Sequence, residues 1–174
     1  MNRLKLILPT QKYKEKIMDY KREFIGDEDS MYGTAGLRNA ETFEEWYNAF
    51  CDNSKEETVR YGLVPESTYM AISIDDERLI GMIGIRHRLN DNLLNIGGHI
   101  GYSIRKSERQ KGYATEMLAL ALTECVKLNI NKVLITCDKD NVASSKTIIN
   151  NAGILENEIQ EGNSITQRYW ITLN

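Results

Sequence analysis

Residues 114–126 most constrain the fold: Ala114, Met117, Leu118, Ala121, Leu122, Cys125 and Val126 recur at the i, i+3, i+4, i+7 spacing. That spacing gathers them into one apolar stripe of an amphipathic helix. Lys132 to Cys137 follows as a short run, apolar without alternation, which suits a strand buried on both faces. Before the helix, Leu93 to Arg105 reads as a strand. A strand, a helix and another strand predict a parallel crossover, and so an α/β domain.

The rest of the chain fits around this unit. Leu4 to Leu8 reads as a first strand ended by Pro9, and Tyr13 to Ile25 carries Ile17, Tyr20 and Phe24 at helical spacing. Gly26 to Asn39 holds Gly26, Gly33 and Gly36 among polar residues and reads as a long loop. Thr42-Phe43-Glu44-Glu45 has the pattern of a capping box that opens a helix with Phe43, Trp46 and Phe50 inward. Tyr69 to Ile74 and Leu79 to Leu89 read as strands, joined to the next by a turn at Asn90-Asp91-Asn92. A second helix spans about Val142 to Asn151, ended by Gly153, and strands near Ile154 to Ile159 and Ile165 to Thr172 close the chain. The order β-α-α-β-β-β-α-β-α-β-β predicts one domain over residues 1–174, a mixed central sheet of about seven strands flanked by about four helices.

Composition narrows the partners. The formal charge of −3 and the absence of a basic run interleaved with aromatics disfavour nucleic acid. The acidity leans faintly toward cationic substrates. No apolar run is long enough to span a bilayer, and the opening segment is too short for an export signal, so a cytoplasmic protein without membrane association is expected. Cys51, Cys125 and Cys137 form no C-x-x-C pair, and Cys125 and Cys137 read as buried small hydrophobes.

The informative junction lies between Gly101–Arg105 and the striped helix. A helix N-terminus exposes unpaired N–H groups and partial positive charge, so it favours anions. Gly112 can turn several amides toward one anion, Ala114 permits close approach, and Arg109 and Lys111 add positive charge. That geometry suits a pyrophosphate. Its plainer alternative is a tight turn with solvated basic residues. Neither a Walker loop nor G-x-G-x-x-G is present.

The run Gly101 to Ala114, with Arg109-x-x-Gly112-x-Ala114, resembles the acetyl-CoA signature of the GNAT superfamily of N-acetyltransferases. The resemblance extends from about Tyr69 to Gly153 and implies a single-domain GNAT fold with acetyl-CoA as co-substrate. It implies that amides of Arg109, Gln110, Lys111, Gly112, Tyr113, Ala114 and Thr115 hold the pyrophosphate. It also implies that backbone groups of Ser103 and Ile104 meet the pantetheine arm. Asn141-Val142-Ala143-Ser144 is similar to the family's Asn-x-x-Ala/Ser segment, which places Asn141 and Ser144 near that arm. Asn141 is equally an N-cap, and the two roles are compatible.

This sequence departs from the family at two positions. Many members carry a tyrosine seven residues after that Asn, as acid toward the leaving thiolate; Ile148 stands there. Many carry a glutamate base before the I-G-Y strand, where this chain has His99. An imidazole titrating near 6.5 is an apt proton acceptor for an amine, so His99 is the candidate catalytic base, against a buried, hydrogen-bonded histidine.

The remaining candidates concern the acceptor. Arg86 and Arg88 are candidate donors to an acidic group on it, or else a soluble hairpin tip. Tyr32, in the long loop, is a candidate acceptor contact, and Glu28 and Asp29 could attract an amine. Tyr169 and Trp170 read as core or rim. Pairing about Asp91 would set His87 near Asn95, about 13 Å along the strands from His99, so no metal site is expected. The expected activity is acetyl transfer to a small-molecule or peptide amine by direct attack. The rival is a CoA-binding sensor or assembly module without robust transferase activity. A homodimer is compatible with the sequence, which does not specify one.

Overall fold

Elements appear in the order that the periodicities predict. The computed structural model describes residues 2–24, 26 and 30–173; Ile25, Glu28 and Asp29 lie outside them. The chain runs β1 (Leu4–Ile7), α1 (Lys14–Arg22), α2 (Phe43–Asn53), β2 (Glu66–Ser73) and β3 (Leu79–Arg86). It continues with β4 (Ile100–Ile104), α3 (Tyr113–Lys127), β5 (Lys132–Asp138), α4 (Val142–Ile149), β6 (Ile154–Glu161) and β7 (Ser164–Thr172).

The strands form two antiparallel sheets, ordered β1-β2-β3-β4 and β5-β7-β6. Alternation along β3 and β4 sends side chains to opposite faces. Ile83, Ile85, Ile100 and Ile104 join Met117, Leu118 and Ala121 of α3 and Ile148 of α4 in one core. Met70, Ile72 and Met82 meet Ile17, Tyr20, Trp46 and Phe50 of α1 and α2 in the other. Arg105, at the end of β4, is buried and ion-paired to Asp19 of α1 at 2.7 Å.

The crossover brings β4 beside β5, but the expected parallel ladder does not form between them. Main-chain hydrogen bonding joins them at one place, just before β4 begins. The His99 amide donates to Leu134 O at 2.7 Å, and the Leu134 amide donates to Nδ1 of His99 at 3.0 Å. An imidazole nitrogen has replaced the carbonyl that a continuing ladder would have offered. Gly98 makes the approach possible: it holds φ +66, and a Cβ there would lie 2.7 Å from Leu134 O. Beyond this clamp the two sheets diverge.

The strand expected over Leu93 to Arg105 is therefore only partly formed. Leu93–Gly97 coils into a π-helical turn, begun where Asn90 Oδ1 accepts the Leu93 amide at 2.9 Å. The coil consumes residues and shifts the register. Arg86, not Ile83 as pairing about Asp91 would have it, stands opposite His99, with the Arg86 amide donating to His99 O at 2.8 Å. The inferred pairing of His87 with Asn95 is thus corrected, and His87 Nε2 instead lies 2.8 Å from Ser67 Oγ. The capping box differs in one detail: Thr42 Oγ1 accepts the Glu45 amide, while Glu45 reaches the amide of Glu41 rather than that of Thr42.

The clamp works only with a neutral imidazole, since Nδ1 must accept. Burial, aided by the nearby Arg86 guanidinium, lowers the His99 pKa to about 4. The folded value lies below the unfolded one, so the unfolded chain binds the proton first as pH falls. The contribution is complete above about pH 6.5 and is lost progressively down to about 4, a change of up to about 3 kcal/mol. His99→Asn keeps an acceptor for Leu134 but does not titrate. Denaturant titrations at pH 7 and pH 4.5 should show a smaller acid loss in His99→Asn; an equal loss would contradict the clamp.

Candidate active site

The divergence at the clamp leaves β4 and β5 with backbone groups that no ladder uses. In an antiparallel ladder, alternate residues turn both N–H and C=O toward the same neighbour. Bonds from Arg86 N to His99 O and from Arg105 N to Ile80 O fix the phase on β4. Gly101 and Ser103 therefore face β3, while Ile100, Tyr102 and Ile104 face β5. On β5, Leu173 N to Asn131 O and Lys139 N to Ile165 O turn Val133, Ile135 and Cys137 toward β7, leaving Leu134 and Thr136 facing β4. The result is a wedge-shaped gap lined by main-chain donors and acceptors, which call for a partner.

At its wide end lies the turn into α3. Gln110 and Gly112 both hold left-handed backbone, φ +62 and +80. Gly112 is the N-cap of α3 without a side-chain cap, and a Cβ there would have only Arg3 Nη2 within 4 Å, at 3.6 Å. The first amides of a 15-residue helix are thus presented in an open turn. Lys111 is exposed and ion-paired to Glu108 at 2.8 Å, and Arg109 Nε donates to Ile104 O at 3.1 Å. Tyr113, Ala114 and Thr115 are half-buried in the first turn.

Sequence reasoning missed Arg3, which reaches this turn from the far end of the chain. Its Nη1 donates to Lys111 O at 2.9 Å, its Nε pairs with Glu116 at 2.9 Å, and its guanidinium lies 4.3 Å from the Tyr113 ring. No local spacing signals it.

Asn141 and Ser144 sit across the gap at the start of α4. Asn141 is the N-cap, its Oδ1 accepting the Ser144 amide at 3.1 Å. The Ser144 hydroxyl lies 2.7 Å from the Tyr102 hydroxyl.

Ser103 is placed otherwise than expected. Its backbone faces β3 and its side chain faces α1, away from α3 and α4. Tyr20 donates to Ser103 Oγ at 3.0 Å, and Ser103 Oγ donates to Tyr32 O at 2.8 Å. Ile104 does face the gap, and so does Tyr102 rather than Ser103.

The loop after α1 packs on this second face. Gly33, at φ +72, presses against Gly101 so closely that a Cβ would meet its carbonyl oxygen at 2.0 Å. Beside it opens a cavity of 510 Å³, walled by Trp46 and Phe50 of α2, Ala35, Gly36, Asn39 and Ala40 of the loop, Arg60, Leu63, Glu66 and Arg86. Trp46 Nε1 donates to Thr34 O at 2.7 Å and fixes the loop there.

Glu66, which sequence reasoning also missed, accepts from Thr68 Oγ1 at 3.0 Å and lies 3.5 Å from Arg86 Nε. Its carboxylate lies over Gly84, whose β4 partner is Gly101. Arg86 spends Nη1 on the carbonyls of Gly97 and Gly98, at 2.9 and 3.0 Å. Arg88 is exposed and paired to Glu56 at 2.8 Å, and Tyr32 is 64% exposed beside the cavity loop. Tyr169 is core, while Trp170 stands edge-on to His99.

His99 faces the same side as Gly101, but its Nδ1 already accepts from Leu134. A neutral imidazole has one acceptor nitrogen, so no lone pair remains for a substrate proton. The geometry fits the buried, hydrogen-bonded histidine instead of the base. Among the described residues, no group of three or more His, Cys, Asp or Glu is placed to hold a metal ion, and no helix is long and apolar enough to cross a membrane.

The wedge, the open turn at Gly112 and the cap at Asn141 are accompanied by a family match. Residues 3–153 match the model of the acetyltransferase (GNAT) domain, and the chain belongs to the GNAT acetyltransferase family, whose co-substrate is acetyl-CoA. No curated protein matches the chain by sequence. Solved structures share the fold at low identity. One is a ribosomal-protein-S5-alanine acetyltransferase from Vibrio fischeri, with TM-score 0.72, 13% identity and 99% of this chain and 94% of that one covered. Another is a ribosomal L7/L12 alpha-N-protein acetyltransferase in complex with coenzyme A, with TM-score 0.70, 14% identity and coverage of 99% and 96%. A spermidine N-acetyltransferase chimera from Vibrio cholerae and hSSAT gives TM-score 0.67, 14% identity and coverage of 98% and 96%.

The turn at Gly112 fits a pyrophosphate because it is open and already left-handed. A glutamate there would combine left-handed strain with negative charge against phosphates. Gly112→Glu should remain folded and lose calorimetrically detectable acetyl-CoA binding, whereas Arg109→Ala should weaken it only modestly. Unchanged affinity in a folded Gly112→Glu would refute the cradle.

Proposed function

We propose that this acetyltransferase acts on a small-molecule or peptide amine, by direct attack in a ternary complex assembled on the two sides of β4. One observation carries this reading. The same strand turns backbone groups that no ladder uses to the gap beside β5, while its Gly101 face is covered by Tyr32 and Gly33 of the loop whose later residues, Ala35 and Gly36, wall the cavity containing Glu66.

In this reading the amides of residues 109–115 hold the pyrophosphate, and Tyr102 and Ile104 meet the pantetheine arm. Asn141 and Ser144 border it from α4. Acetyl-CoA supplies the activated acyl group. The amine reaches the carbonyl from the cavity, and the outward-facing amide of Ile104 is positioned to stabilise the oxyanion. Holding both reactants on one strand provides the orientation that such a reaction needs. Glu66 attracts the ammonium form and accepts its hydrogen bond, with Arg86 setting the carboxylate's orientation, and the ammonium releases one proton to solvent before its lone pair attacks. His99 is a positioning residue that fixes the apex of the gap, rather than the base. Tyr32 and the exposed Leu63 border the acceptor's path, and Arg88 lies further out. The solved relatives named for ribosomal proteins and for spermidine are compatible with an amine acceptor, and their names favour no one class of it.

A screen of amines reporting released CoA tests the activity against the rival of a silent CoA-binding module, which would release none. With the best acceptor, Glu66→Gln should raise acceptor KM by about tenfold or more while acetyl-CoA affinity stays unchanged, as expected for loss of a charge-assisted hydrogen bond. An unaltered KM would remove Glu66 from the acceptor site.

A further inference from the structure

The family's tyrosine position on α4 is filled by Ile148, which is fully buried in the core beside α3. An aromatic hydroxyl nevertheless arrives at the same helix from the opposite strand. Tyr102 leaves β4 on the face shared with Ile100 and Ile104, and its ring packs against that core. Its hydroxyl lies 2.7 Å from Ser144 Oγ and donates to Ser144 O at 3.4 Å, in the first turn of α4. Ser144 is held there by the Asn141 cap. The backbone of Tyr102 faces the gap, so ring and main chain belong to the same wall. Cys137, buried at the end of β5, is the third polarisable group of this corner. Burial raises the tyrosine's pKa, with the Cys137 thiol adding to the rise, and burial likewise raises that of the thiol.

We propose that Tyr102 is a catalytic residue that donates a hydrogen bond to the sulfur of the bound thioester and stabilises the departing thiolate, in the place left empty by Ile148. This rests on the acetyl-transfer reading. As the amine lone pair forms the C–N bond, the C–S pair withdraws onto sulfur, and the Tyr102 hydroxyl turns from Ser144 to that charge. Burial pushes the Tyr102 pKa up to about 12, well above an ordinary thiol, so the phenol keeps its proton while hydrogen-bonding. The thiolate takes its proton from solvent, and the amine releases its surplus proton to solvent. One amine and one thioester thus give one amide and one thiol. Tyr102 is a donor rather than an acid, and its hydrogen bond strengthens as charge develops.

Calorimetry with CoA and with desulfo-CoA isolates the sulfur contact without any turnover. The preference for CoA over desulfo-CoA should fall by about tenfold in Tyr102→Phe, through weaker CoA binding at high pH, where the thiolate forms. Desulfo-CoA affinity should not change. In Ser144→Ala, which keeps the phenol, the preference should persist. In turnover, Tyr102→Phe should slow the thioester by about tenfold or more and the selenoester analogue, with its better leaving group, by much less. Equal loss for both ligands, or an unchanged preference, would overturn the proposal, as would loss of the preference in Ser144→Ala alone. A wild-type protein that turns over no amine would defeat the acetyl-transfer reading, while the two-ligand comparison would still judge Tyr102.

Discussion

The geometry depends on one side chain standing in for a main-chain carbonyl. His99 gives its amide to Leu134 O and receives the Leu134 amide on Nδ1. This joins two sheets that share no ladder at one backbone contact, beside which Thr136 Oγ1 donates to Ile96 O at 2.6 Å and Arg168 Nη2 to Leu94 O at 2.9 Å. If the ladder continued from that point, β4 and β5 would satisfy one another and leave no groups for a ligand. If the contact were missing, the sheets would lack a fixed apex. Gly98 is the local requirement, because any Cβ would fall against Leu134 O. Buried polar groups are costly when unpaired, so this two-bond contact is favoured only while the imidazole is neutral.

From that apex β4 acquires two working sides. Its backbone alternation aims Tyr102 and Ile104 into the gap, while Gly101 and Ser103 meet the loop after α1. The loop is fixed on that side by small, specific contacts: Ser103 Oγ to Tyr32 O, Trp46 to Thr34 O, and Gly33 against Gly101. Two adjacent glycine surfaces allow the backbones to approach closely, which keeps the cavity near the strand. Acceptor selection would then depend on residues of α2 and the loops, and donor binding on α3 and α4. Substitutions on one side should leave the other little changed, because they share the strand but not side chains.

The local parts of this arrangement were legible in the sequence. The stripe on α3, the turn at Gly112 and the cap at Asn141 are encoded within a few residues each, and the structure reproduces them except that Val126 at the end of the stripe is exposed. The family resemblance of the segment ending at Ala114 was readable for the same reason. What was not legible depends on register or on distant chain segments. Leu93 to Ile96 looks apolar enough for a strand, but the Asn90 side chain and Gly98 turn it into a coil, and that shifts every pairing beyond. With the register went the roles of His99 and Ser103: imidazole chemistry suggested a base, whereas a partner 35 residues away uses the lone pair. Arg3 and Glu66 reach their places only through sheet and helix packing. Tyr102 was hidden because its helix partner, Ser144, lies 42 residues ahead.

The central claim is that acetyl-CoA occupies the gap opened by the His99–Leu134 clamp, leaving the Glu66 cavity to the acceptor. Amide hydrogen exchange followed residue by residue by NMR, with and without acetyl-CoA, tests it most directly. Protection should rise at Tyr102, Ile104 and Thr136, the amides turned toward the gap, and at residues 112–115. Amides of β1 and the cavity loop should exchange as before. No added protection at Tyr102, Ile104 and Thr136 under saturating acetyl-CoA, or protection centred on residues 35–40 and 60–66, would contradict the account.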